Sequence, residues 1–233
     1  MKPEDNHSFV LRSVYLMGLA FILPWQILVI MSGYWDQKFS QYDPKEFGSY
    51  LTIVSTVPHA VTITLHAIIG HWFSIRTRLY CSQIGLVITL AFISILSIMG
   101  SDDWPSQDIY FTLTMTAVVF VNVFSALFQG CTSSLLSPFP PEYLGYWVNG
   151  TGMGGLLPSI INVIFLALNP KDVELPGFVC FIFNLIITII TLLLTFKMEQ
   201  SEFYQHYASV LYEDKDKKKE IESESIFHIF LGN

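Results

Sequence analysis

Charged residues fall in short clusters along this chain, and six long uncharged stretches separate them, at positions 13–35, 47–75, 79–101, 109–141, 143–170 and 175–196. The shortest is 22 residues and the longest 33. A helix needs about 20 apolar residues to cross a hydrocarbon layer about 30 Å thick, so each stretch is long enough. With no water in lipid to satisfy the backbone, only helices and closed barrels span it. A barrel would show alternating segments of about ten residues, and these stretches are far longer. The pattern predicts an all-α polytopic membrane protein with six transmembrane helices. It divides the chain into an amino-terminal segment (1–12), a six-helix bundle (13–197) and a charged tail (198–233).

Composition agrees with that class. Of 233 residues, 52% are hydrophobic and 13% charged, about half the charge of an ordinary soluble domain. The net charge of −7 offers no basic surface, so nucleic acid is not an expected partner. Lys and Arg orient the spans, because basic residues accumulate on the cytoplasmic side. With the N-terminus inside, Lys2, Arg12, Arg76, Arg78, Lys197, Lys215, Lys217, Lys218 and Lys219 are cytoplasmic, and only Lys38, Lys45 and Lys171 lie outside. The expected topology is therefore N-inside, with the first apolar run retained as a helix. The sequons at Asn6 and Asn149 then fall in the cytoplasm and within a span, where neither is glycosylated. Beyond Lys197 the chain turns polar, and the four lysines near its end, outnumbered by Glu213, Asp214, Asp216, Glu220, Glu222 and Glu224, read as a solvated, mostly disordered tail.

Within the spans, chemistry is sparse. Cys81, Cys131 and Cys180 are odd in number, lack CxxC spacing and read as apolar fillers. Prolines interrupt three spans (Pro24, Pro58 and Pro158); each removes a backbone donor and favours a kink, as in helices that line transport paths. Gly150 and Gly154 form a GxxxG, a close-approach surface for another helix. Trp25 and Gln26 near the middle of the first span, and Gln129 in the fourth, suit either a cavity or interhelical hydrogen bonding. His59 and His66, seven residues apart, share one helix face; cavity lining, hydrogen bonding and proton coupling all remain open for them. There is no pair of intramembrane acids, no nucleophile elbow, no HExxH and no phosphate loop. Neither enzymatic chemistry nor a cofactor or metal is expected.

These same residues resemble the equilibrative nucleoside transporter family. Gly18–Trp35 (GLAFILPWQILVIMSGYW) is similar to that family's first helix. Ala126–Gly155, from ALFQG through FPPEYLGYWVNGTGMGG, resembles its Gln-Gly helix, Phe-Pro linker and glycine-rich helix, and Glu202–Tyr207 (EFYQHY) the start of its large cytoplasmic loop. The resemblance implies a bundle like the amino-terminal half of a major-facilitator-like transporter, moving nucleosides or nucleobases down their gradients by alternating access, most often at the plasma membrane. It also implies that Trp25 and Ile22 line the substrate pocket and that Gln129 hydrogen-bonds the base. Thr56 and His59, flanking Pro58, and Ser125 fall at pocket positions; Gly150 and Gly155 match two packing glycines, and Arg78 a basic residue that opens the third helix. Gln26 replaces an Asn and His59 a usually apolar residue.

The family has a second, five-helix bundle, so this chain is expected to be a truncated half, or to assemble with a complementary carboxyl-terminal bundle or another copy. The alternatives are a proton-coupled nucleoside or organic-cation transporter of the same fold, and a non-transporting form that modulates a longer one.

Overall fold

A computed structural model of the chain describes residues 5, 8–39, 44–99, 106–168 and 174–210. The elements are α1 (Phe9–Ile30), α2 (Ser32–Lys38), α3 (Pro44–Ile69), α4 (Ile75–Ile98), α5 (Gln107–Leu136), α6 (Pro141–Leu168) and α7 (Glu174–Glu199). A 3-10 turn, Gly70–Trp72, follows α3, and residues 202–210 are also helical. Among the described residues there is no strand. Apart from α2, the 3-10 turn and the short 202–210 segment, the helices are long and apolar enough to span a membrane, so each of the six uncharged stretches contains one membrane-length helix.

Each helix starts before the stretch that announced it, and α7 also ends beyond its own. Arg12 lies in the first turn of α1, Arg76 and Arg78 in that of α4, and Lys197 and Glu199 in the last turn of α7. A charge in a terminal turn is tolerated where its side chain reaches the headgroups or finds a partner, as Arg76 does in Glu199 and Arg78 in His66. Local signals fix the actual ends. Ser74 Oγ accepts from Thr77 N at 3.1 Å to start α4, and Asp5 accepts from Val10 N and Leu11 N, both at 3.0 Å, to start α1. The first stretch, expected as one span, breaks at Met31, after which α2 turns away. Trp35 Nε1 donates to Leu28 O at 3.1 Å across that break, occupying one of the carbonyls that a helix end leaves open. Pro24, Pro58 and Pro158 each sit inside a continuous helix.

The bundle centres on α1, which packs on α6, α7 and α5; α3 and α4 lie against α5, and α4 also against α7. The α1–α6 contact is backbone on backbone. A Cβ at Gly18 would collide with the carbonyl of Trp147, and one at Gly150 with the carbonyl of Tyr15. Small residues permit this approach, which is how helices gain van der Waals contact in lipid. Some polar side chains inside the bundle are satisfied locally, as where Thr114 and Thr188 return their hydroxyls to carbonyls four residues back, and Gln83 Nε2 donates to Thr195 Oγ1 at 2.8 Å between α4 and α7.

Aromatic clusters close both ends. At one end Trp35, Phe39 and Phe47 stack or tilt together, near the ion pair of Lys38 with Glu174 at 2.8 Å. At the other end Phe203 and Tyr207 of the 202–210 helix pack on Phe139 and Tyr143 of the α5–α6 link. The disorder expected of the tail concerns, from 211 onward, residues outside those described.

Burial is uneven. In its most apolar window α1 is 61% buried, whereas α3 and α6 are 6% and 11% buried. These two helices therefore border the cavity on one side and show bare apolar surface on the other.

Candidate functional site

Four helices enclose a cavity of about 450 Å³, within the size range of small-molecule sites. The helical repeat builds each wall. From α1 come Phe21, Ile22 and Trp25, spaced to share a face; from α3 come Ser55, Thr56, His59 and Ala60. On α5, Asn122, Ser125 and Gln129 stand three and four residues apart, a polar stripe on an otherwise apolar helix. Thr151 completes the wall from α6.

No lining residue is an Asp, Glu, Lys or Arg. His59 Nε2 and Gln129 Oε1 are 3.1 Å apart, joining α3 to α5 across the wall. Ser125 Oγ is buried with no hydrogen-bond partner among the described residues. Thr151 Oγ1 turns to Trp147 O at 3.0 Å, and the Trp147 ring stacks on Phe21 with centroids 5.3 Å apart. Gly154 lies behind Ile22, whose Cγ2 occupies the space a Cβ would need. An indole ring, an amide and an imidazole around an uncharged space suit a flat, neutral molecule with a polar edge. Among the described residues, no group of three His, Cys, Asp or Glu could hold a metal ion.

Of the residues singled out from the sequence, the structure brings Ile22, Trp25, Thr56, His59, Ser125 and Gln129 to this one cavity. Gln26 is elsewhere, facing α6, where its amide lies 3.6 Å from the place a Gly155 Cβ would take. Pro24 and Pro58 each adjoin a lining residue on α1 and α3. Gly150 and Gly154 face α1, whereas Gly155 has room for a side chain. Arg78 is remote: its guanidinium hydrogen-bonds His66, whose Nε2 also lies 3.5 Å from Cys131 Sγ. His59 and His66 thus share the α5-facing side of α3, the first in the cavity and the second in this separate cluster.

Sequence reasoning passed over Phe21, Ser55, Ala60, Asn122 and Thr151. Asn122 and Ser125 stand at i−7 and i−4 from Gln129, a periodicity that would have pointed to Asn122. Gly18, the partner of the α6 glycines, was legible only as a small residue in an apolar run.

Six apolar helices, four of which line an uncharged cavity of this size, define a multi-pass membrane protein with an intramembrane space for a small molecule. The nucleoside transporter family model matches residues 115–228. Equilibrative nucleoside transporter 2 of Homo sapiens is 22% identical over 181 residues, covering 71% of this chain and 39% of that protein. Equilibrative nucleoside transporter 1 of Homo sapiens is 20% identical over 235 residues, covering 88% and 50%. Equilibrative nucleotide transporter 1 of Arabidopsis thaliana is 23% identical over 171 residues, covering 73% and 37%. The chain is thus similar in sequence to the equilibrative nucleoside transporters, and it spans about half, or less, of the length of these curated proteins.

Proposed function

We propose that this chain forms the amino-terminal six-helix part of a facilitative transporter of nucleosides or nucleobases, with the α1–α3–α5–α6 cavity as its half of the substrate site. The observation that carries this reading is the meeting of Trp25, His59 and Gln129, from three separate helices, in one uncharged cavity. Trp25 offers a ring face on which a base stacks, Gln129 an amide for its edge, and Ile22, Thr56 and Ser125 shape the remaining wall. The relatives bear the names of nucleoside and nucleotide transporters, which supports the substrate class. The excess of Arg and Lys at the end that carries Arg76 and Arg78 supports a cytoplasmic N-terminus, and we place the protein in the plasma membrane. The exposed faces of α3 and α6 supply the surface on which a complementary helix bundle, or another copy, closes the cage.

The test is uptake of uridine and adenosine by transport-deficient vesicles that contain this chain together with a complementary carboxyl-terminal bundle. Saturable uptake is expected. Gln129→Ala and Trp25→Ala are each expected to lower it about tenfold or more, the cost of one buried hydrogen bond or one stacking face. No uptake, or uptake untouched by both substitutions, overturns the reading.

His59, the one titratable side chain on the cavity wall, favours a second version in which a proton accompanies the substrate. That version requires uptake to change between pH 5.5 and 8, the range over which an ordinary histidine titrates. A flat profile removes it.

A further inference from the structure

The geometry points to His59 as a positioning residue that determines specificity: it holds the Gln129 amide so that the cavity donates to the base edge, and so favours oxo over amino bases. This rests on the nucleoside reading above. His59 Nε2 lies 3.1 Å from Gln129 Oε1. An amide oxygen only accepts, so the proposal assigns His59 the tautomer with the hydrogen on Nε2. With its oxygen engaged toward α3, the Gln129 amide keeps the two hydrogens of its nitrogen for the cavity. No other hydrogen-bond partner holds Gln129 among the described residues.

Ser125 Oγ, one turn from Gln129 and without a partner among the described residues, is a hydroxyl that donates or accepts equally, so the Gln129 amide sets the fixed polarity at this end of the wall. Ser55 Oγ is committed to Leu51 O at 2.6 Å and Thr151 Oγ1 to Trp147 O. Asn122 gives its amide hydrogens to Val118 O at 2.8 Å, but it lies seven residues along α5, about 10 Å by the helical rise, and meets a different part of a ligand. A base whose edge presents a carbonyl oxygen to Gln129 therefore completes a hydrogen bond. One that presents an amino group there sets donor against donor and leaves both unpaired, which a dry site penalises. Without His59 the amide is free to turn over, and the discrimination goes with it.

The experiment is paired competition between uridine and cytidine, and between inosine and adenosine, in the same vesicles. The unsubstituted protein is expected to prefer the oxo member of each pair by about fivefold or more. In His59→Leu, which fills the space without a donor, the preference is expected to shrink to within about twofold. In Gln129→Glu, whose acidic edge accepts, it is expected to reverse. Only the ratio is read, so a general loss of activity does not imitate the result. Uptake with no oxo preference in the unsubstituted protein, or a preference unchanged in either variant, overturns the role of His59 and leaves the transport reading standing. No saturable uptake of any of the four nucleosides overturns the reading beneath it.

Discussion

Gly18 and Gly150 hold the places where α1 and α6 touch through their backbones, which makes both positions sensitive to a single methyl group. Gly18→Ala and Gly150→Ala each force a carbonyl aside, an overpacking cost of about 1–3 kcal/mol. Each is expected to lower the thermal unfolding midpoint of the purified protein in detergent by several degrees. Gly145 and Gly152, in the same helix, have nothing within 4 Å of an added Cβ. Their Ala variants are expected to be neutral or more stable by about 0.5–1 kcal/mol, the helix preference of Ala over Gly. A uniform response of all four glycines would show that the helix propensity of glycine, and not close approach, sets the effect. At this scale the sequence shows which residue types are unusual in lipid but not which way they face. Trp25 and Gln26 are neighbours, yet only Trp25 reaches the cavity, because adjacent positions on a helix point about 100° apart. The His59–Gln129 pair joins positions 70 residues apart, and nothing local in either segment marks it.

Helix boundaries, by contrast, were legible to within a turn or two, and the misses at the charged ends share one cause. Uncharged stretches mark the hydrocarbon, whereas helices end where caps end them, so α1, α4 and α7 carry Arg12, Arg76, Arg78, Lys197 and Glu199 inside their terminal turns. The same blindness hid the short helix beyond α7. Residues 202–210 carry one charge, Glu202, but lie between Lys197 and the charged run from Glu213 and so read as tail; Phe203 and Tyr204 are nevertheless only 7% and 4% exposed and clasp the α5–α6 link through Phe139 and Tyr143. Two distant motifs, FPPEY and EFYQHY, turn out to be halves of one contact. Phe203→Ala removes the stacked ring at its centre, a loss of about 3 kcal/mol for a buried aromatic. Brief protease treatment is expected to cut this variant within 202–210 at least tenfold faster than the unsubstituted chain, while the midpoint of the bundle moves little. Equal cutting rates would mean that the clasp does not hold the segment.

Considered whole, the molecule is lopsided: α1 is sunk in protein, and α3 and α6 are nearly bare. Six spans were evident from charge spacing, but their burial was not, since a helix that faces lipid and one that faces another bundle are equally apolar. If a complementary bundle or another copy covers α3 and α6, single cysteines replacing Val57 and Val148, 54% exposed each, cross-link to it with short bifunctional reagents. A cysteine replacing Ile88, 65% exposed on α4, is expected to react instead with a lipid-soluble maleimide. The reverse pattern would place the partner on the α4 side. The glycine contact between α1 and α6 has a last consequence. Backbones that close cannot shift separately, so Trp25 and Thr151 travel as one jaw. The hydrogen bonds that tie His59 to Gln129 and His66 to Cys131 make α3 and α5 the opposing jaw. In the transporter proposed above, the cavity is a caliper between them, and the gap from Trp25 to Gln129 is the quantity that a bound molecule would gauge.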